Sequence, residues 1–155
     1  MTSDPLWTFA CAFYGRPGVA AACLALQDEG GADVPLLLYL IWCGRTGRRL
    51  DASALAEAEA RIGPWRGQVI VPLRAIRRAM RSDLMPGQGT EALRERIKLA
   101  EIEAERLAFA ALFEAAPVPD MLASSGGEAL ALYAAHLGRT WPEAPLRVLA
   151  TALEG

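Results

Sequence analysis

The side chains in this sequence with the greatest capacity for chemistry are arginines and glutamates, and their spacing decides what they can do. Glu101, Glu103 and Glu105 lie within a turn and a half of one another. With Glu57 or Glu59 they hold enough oxygen donors for a carboxylate metal site. The pair Glu101 and Glu105 instead continues a polar stripe that already holds Arg94 and Lys98, so solvated ion pairing along one helix is the expected arrangement. The Glu-x-x-His pattern of di-iron bundles is absent. His136 is the only histidine and reads as a surface residue beside the seam Leu130, Tyr133, Ala134 and Leu137. Without a second histidine or a CxxC pair, no metal site is expected, and no nucleophile-elbow pattern accompanies His136 to make a triad. Gly87-Gln88-Gly89-Thr90 resembles an anion cradle at a helix start but lacks the lysine of a P-loop, so it reads as a loop and an N-cap. No catalytic residue is assigned, and no cofactor is expected.

The arginines carry a stronger signal. From Arg45 to Arg81 there are nine, at 45, 48, 49, 61, 66, 74, 77, 78 and 81, against Asp51, Glu57 and Glu59, whereas residues 82 to 155 carry a net −5. On a helix over 65–81, Arg66, Arg74, Arg77 and Arg81 share the sector opposite the apolar seam, which predicts a basic face for an acidic protein partner. Were that charge used within the fold, Arg74 and Arg77 would pair with Glu101 or Glu105. Nucleic acid is disfavoured, because apart from Trp65 no aromatic side chains are interleaved with the arginines and the net charge is only −2.

These residues must be positioned by helices. The apolar fraction is 53% and rich in alanine, and no alternation of strand type runs beyond a few residues. The expected fold is all-α: one domain over 1–155, a bundle of about six to eight helices with one long central helix. Asp4 caps a first helix to Tyr14; Pro17 opens a second to Glu29; Asp33 caps a third, with Pro35 in its first turn. Asp51 caps a fourth that ends at Gly63-Pro64, and a fifth over 65–81 is expected to kink at Pro72. Thr90 caps the long sixth helix, to Ala115. It has a seam at Leu93, Ile97, Ala100, Ala104, Leu107 and Ala111 and a second apolar group at Leu99, Ile102, Phe109 and Phe113. That second group suits either a central helix or half of a homodimer contact. Short helices near 128–137 and 143–153 complete the chain.

Cys11, Cys23 and Cys43 lie in apolar stretches and read as reduced core residues of a cytoplasmic protein. The first four residues lack the basic and apolar regions of a secretory signal. The run Val34 to Cys43 is shorter than the roughly 20 residues needed to span a bilayer, so no membrane span is expected.

The segments Leu6-Trp7-Thr8-Phe9-Ala10, Tyr14-Gly15-Arg16-Pro17-Gly18-Val19, Cys23-Leu24-Ala25-Leu26-Gln27-Asp28 and Gly31-Ala32-Asp33-Val34, followed by Leu36-Leu37-Leu38 to Trp42, form a pattern that resembles an uncharacterised proteobacterial family of small helical proteins, a domain of unknown function. The likeness is dense over 5–80 and returns in Ile97 to Arg106; Pro35 stands where that family suggests a polar residue such as asparagine. The resemblance implies no activity. It directs attention to Arg16, Gln27, Asp28, Asp33 and Trp42 as a ligand pocket near the second and third helices, with capping and local hydrogen bonding as the alternative use of these residues. Two functions are open: a non-enzymatic adaptor or accessory protein acting through the arginine face, or a small-molecule-binding protein or enzyme with a pocket in the bundle.

Overall fold

The computed structural model describes residues 4–81, 84–85, 89–120 and 126–154. The chain is all-α. Its helices are α1 (Pro5–Tyr14), α2 (Val19–Gly30), α3 (Val34–Arg45), α4 (Ala52–Trp65), a π turn (Arg66–Ile70), α5 (Val71–Ala79), α6 (Thr90–Glu114), α7 (Gly126–Leu137) and α8 (Glu143–Glu154). Among the described residues the β pairing amounts to an isolated bridge between Arg48 and Pro119.

Three aspartates start helices as their spacing predicts. Asp4 accepts the Trp7 N–H at 2.7 Å, Asp33 that of Leu36 at 3.1 Å and Asp51 that of Ala54 at 2.8 Å, each satisfying a backbone donor left free in the first turn. The N-cap of α6 is Gly89, at φ 94° with no side-chain bond, in place of the expected Thr90; Gly87 and Gln88 lie outside the described residues. Helix α2 begins at Val19 with Gly18 as its cap, slightly later than the start expected at Pro17.

The innermost helix is α3, in which every residue from Val34 to Cys43 is buried, and α1, α2, α6 and α7 surround it. No single helix among the described residues is long and apolar enough to cross a membrane. At one edge α8 packs on α2. Its last carbonyls are taken by arginines from elsewhere: Arg16 donates to Ala152 O, and Arg45 to Leu153 O, which satisfies acceptors that a helix end leaves open. Gly30 permits a close approach there, since a Cβ on it would fall 2.7 Å from the Trp141 ring, whose Nε1 donates to Gly30 O at 3.1 Å.

The expected break at Gly63-Pro64 does not occur. Helix α4 runs through both residues to Trp65, and the irregularity falls in the π turn immediately before Pro72. There the Val71 N–H reaches back five residues to Arg66 O. A wide turn inserts one residue into the helical count and delays the phase of the succeeding helix by about 100°. The buried series Leu55, Ala58 and Ile62 of α4 therefore continues through buried Ile70 to half-buried Arg74 and Arg77, while Ile76, an expected seam residue, is 49% exposed.

The seam of α6 also differs from expectation. Its buried residues are Glu101, Ala104, Ala108, Phe109 and Leu112, so a carboxylate occupies a core position, whereas Leu93, Leu99 and Leu107 face outward. Cys23 and Cys43 are buried as expected and their thiols are pushed up to about 12 by burial, but Cys11 is exposed.

Candidate functional site

Two clusters of charge form where α4 to α6 meet the rest of the bundle. In the first, Arg66 of the π turn donates to both oxygens of Glu59, at 2.6 and 2.8 Å. Its Nε lies 3.1 Å from Asp33 Oδ1, an ion pair without the alignment of a hydrogen bond. The Asp33 backbone N–H donates to the Tyr133 hydroxyl at 2.9 Å. Burial pushes the Asp33 carboxyl above its ordinary value against the opposing pull of Arg66. Glu59 is held below its ordinary value by the Arg66 hydrogen bonds. Burial also lifts the Tyr133 phenol to about 12. One cation thus joins the start of α3, the middle of α4 and the π turn, and the Asp33 backbone ties α7 to them through Tyr133.

In the second cluster Arg74 uses three donors on three partners, each at 3.1 Å: Nε to Glu101, Nη1 to the Gln27 side-chain oxygen and Nη2 to Glu105. Arg77 Nε donates to the other Glu101 oxygen at 2.5 Å, and Arg94 Nε donates to the Arg77 carbonyl at 3.2 Å. Burial pushes Glu101 upward, but the hydrogen bonds from Arg77 and Arg74 outweigh it and hold the carboxyl below its ordinary value. For Glu105 burial prevails over Arg74 and the carboxyl is raised.

This second cluster forms one wall of a cleft of about 510 Å³ between α1, α2 and α3 on one side and α5 and α6 on the other. Trp7, Val34, Pro35, Leu38, Ile102 and Phe109 are among its apolar lining. Its charged lining is unbalanced. Arg74, Arg77, Arg78, Arg81, Arg94 and Lys98 stand against Glu101 and Glu105, and Arg74 and Arg77 already consume both carboxylates.

Of the residues expected at a ligand pocket, Gln27 lines this cleft. Arg16 is engaged at the end of α8 and lies over the Phe13 ring at 5.5 Å. Asp28 is exposed, Asp33 belongs to the first cluster, and Trp42 is buried beneath the Arg48 guanidinium, 4.2 Å from its ring centre. The arginine face divides likewise: Arg66, Arg74 and Arg77 turn inward to carboxylates, and Arg81 is exposed. The expectation that Glu101 and Glu105 are solvated members of a helical stripe is corrected, because both pair across to α5. Intrahelical pairing is found instead for Glu91 with Arg94 and Glu103 with Arg106. The sequence signal for Glu101 is its phase, three residues before Ala104 and seven before Ala108. Tyr133, Trp7 and Phe109 carry no comparable signal. Among the described residues, no three His, Cys, Asp or Glu side chains are arranged to hold a metal ion.

The family model for a protein of unknown function, DUF2390, matches residues 5–112, more than half of the chain. The chain belongs to that family. The DUF2390 match takes in α1 through α5 and nearly all of α6, hence the whole lining of the cleft and both arginine clusters; Tyr133, Trp141 and the helices that carry them lie beyond it. No curated protein matches the chain, and no solved structure does.

Proposed function

We propose that this member of the DUF2390 family is a non-enzymatic cytoplasmic adaptor that engages an acidic, amphipathic segment of a partner protein. The observation that supports this reading is the arm made by α5 and the first half of α6. No residue of α5 is buried, nor is any from 90 to 100. Helices in water ordinarily bury an apolar stripe, yet Val71, Ile76, Leu93 and Leu99 of this arm are 46, 49, 51 and 64% exposed. Interspersed among them are Arg78, Arg81, Arg96 and Lys98, all exposed and without an ion pair among the described residues. Apolar side chains set among unpaired cations complement a segment that presents carboxylates beside an apolar stripe.

The experiment is recovery of partners from native lysate with three forms of the protein: unchanged, Arg78→Glu with Arg81→Glu, and Arg147→Glu as a charge reversal elsewhere. The expected outcome is a salt-sensitive partner held by the first and third forms and lost by the second, with all three melting at the same temperature. Equal recovery by the doubly reversed arm overturns the reading.

A further inference from the structure

We infer that the cleft between α1, α2, α3, α5 and α6 is a binding site for a small amphipathic organic anion, with a carboxylate or phosphate head at the arginine rim and an apolar body on the floor. This inference does not depend on the partner reading, since it concerns a concave site and a small molecule. At about 510 Å³ the cleft falls inside the range of small-molecule sites, roughly 300 to 1000 Å³. Such sites combine an apolar lining with a few fixed polar groups, and both are present.

The floor consists of side chains from three helices held by the core: Trp7 of α1, packed on Phe109 with ring centres 5.6 Å apart, Val34 and Leu38 of α3, and Leu24 of α2 at the lip. The opposite wall is ordered by its own ion pairs. Arg74 is fixed by Gln27, Glu101 and Glu105, and Arg77 by Glu101. Glu101 and Glu105 are thereby satisfied, and the rim keeps Arg78, Arg81, Arg94 and Lys98, of which only Arg94 is paired among the described residues, at 3.4 Å to the exposed Glu91. Three cations without a carboxylate partner among the described residues, Arg78, Arg81 and Lys98, beside an apolar floor select an anion that also has apolar surface to bury. Guanidinium groups bind carboxylate and phosphate alike through paired N–H donors, so the head is defined by charge and the two chemistries are separated by experiment.

Purified protein is titrated with dodecanoate and dodecyl phosphate below their micelle concentrations and with dodecanol below its solubility limit, with tryptophan emission and calorimetry as readouts. Both anions, or one of them, should bind with one-to-one stoichiometry, and the alcohol at least about tenfold more weakly, the difference expected of a charge-assisted contact. The relative affinity of the two anions assigns the head. Leu24→Asp, on the α2 lip and away from the arm, should weaken anion binding by about tenfold or more through the floor. Arg81→Gln with Lys98→Gln should do so through the rim, with each variant melting as the unchanged protein does. Absence of binding by either anion up to about 1 mM, the weak end of specific association, overturns the inference. So does equal binding of the alcohol, or anion binding that both variants leave intact. Because partner recovery and ligand binding are separate readouts and Leu24→Asp lies outside the arm, failure of one proposal leaves the other standing.

Discussion

The two arginine clusters are built from the same groups at similar depth, yet their charge balances differ. Around Arg66, whose side chain is 20% exposed, one cation meets two carboxylates, with Asp33 at 8%. Around Arg74 and Arg77, at 15 and 17%, two cations meet two carboxylates, and the cleft then continues into four more. Depth alone therefore does not separate charges that hold helices together from charges left over for a ligand; the surplus does. In the first cluster every group is used to join elements, and loss of the single cation strands two acids. In the second, Glu101 and Glu105 consume only Arg74 and Arg77, and the other cations line an opening.

The most damaging change should be Arg66→Met. It leaves Asp33 and Glu59 facing each other without their cation, and the expected loss is about 3 to 5 kcal/mol at neutral pH, the cost of breaking a buried pair from one side. Because both carboxyls would then sit above their ordinary range, the native state binds more protons than the unfolded one, and stability should recover as pH falls from 7 toward about 4.3. Denaturant melts at several pH values check the sign; a variant that is equally destabilised at every pH contradicts the assignment.

Glu101→Gln should have a smaller effect, about 2 kcal/mol, since Glu105 still faces Arg74. Its pH dependence runs the other way. The lowered pKa of Glu101 means that its contribution is present above the ordinary carboxylate value of about 4.3 and is lost as pH falls through the lowered folded value. The unchanged protein should therefore lose stability on acidification more steeply than Glu101→Gln does, as read from the two pH profiles. The mildest change is Arg78→Gln, at an exposed rim position without an ion pair among the described residues, which should alter stability by no more than about 0.5 kcal/mol. A drop several times larger would place Arg78 with the structural arginines and erase the contrast between the clusters.

Much of the helical scaffold is legible in the sequence because helix ends are local chemistry. Asp4, Asp33 and Asp51 announce three starts, and Gly30-Gly31 one end, through groups only a few residues away. The features that local patterns do not reveal depend on count and on neighbours. Nothing near Gly63-Pro64 shows that the helix passes through them, and the widened turn beyond changes which residues of α5 face inward. A seam extrapolated at constant pitch from Trp65 consequently places Ile76 inside and Arg74 and Arg77 outside. Glu101 reads as solvated because its helix neighbours supply acceptable ion pairs; its burial is intelligible only once α5 presents two guanidinium groups to it. The candidate ligand residues around α2 and α3 share a stretch of sequence, but consecutive helical positions point in different directions, and of these only Gln27 points into the cleft.

The π turn at Arg66–Ile70 also sets a rule for how this molecule tolerates changes of length. It acts as a rotary setting between two rigid rods. Removing one residue within it would close the turn to ordinary α pitch, and the lost residue would cancel the lost delay of about 100°, so that Arg74 and Arg77 would still face α6. A substitution on α5 affects one contact and a deletion between Val71 and Arg74 re-addresses those beyond it, whereas the wide turn holds a residue that is removable without moving the arginine wall.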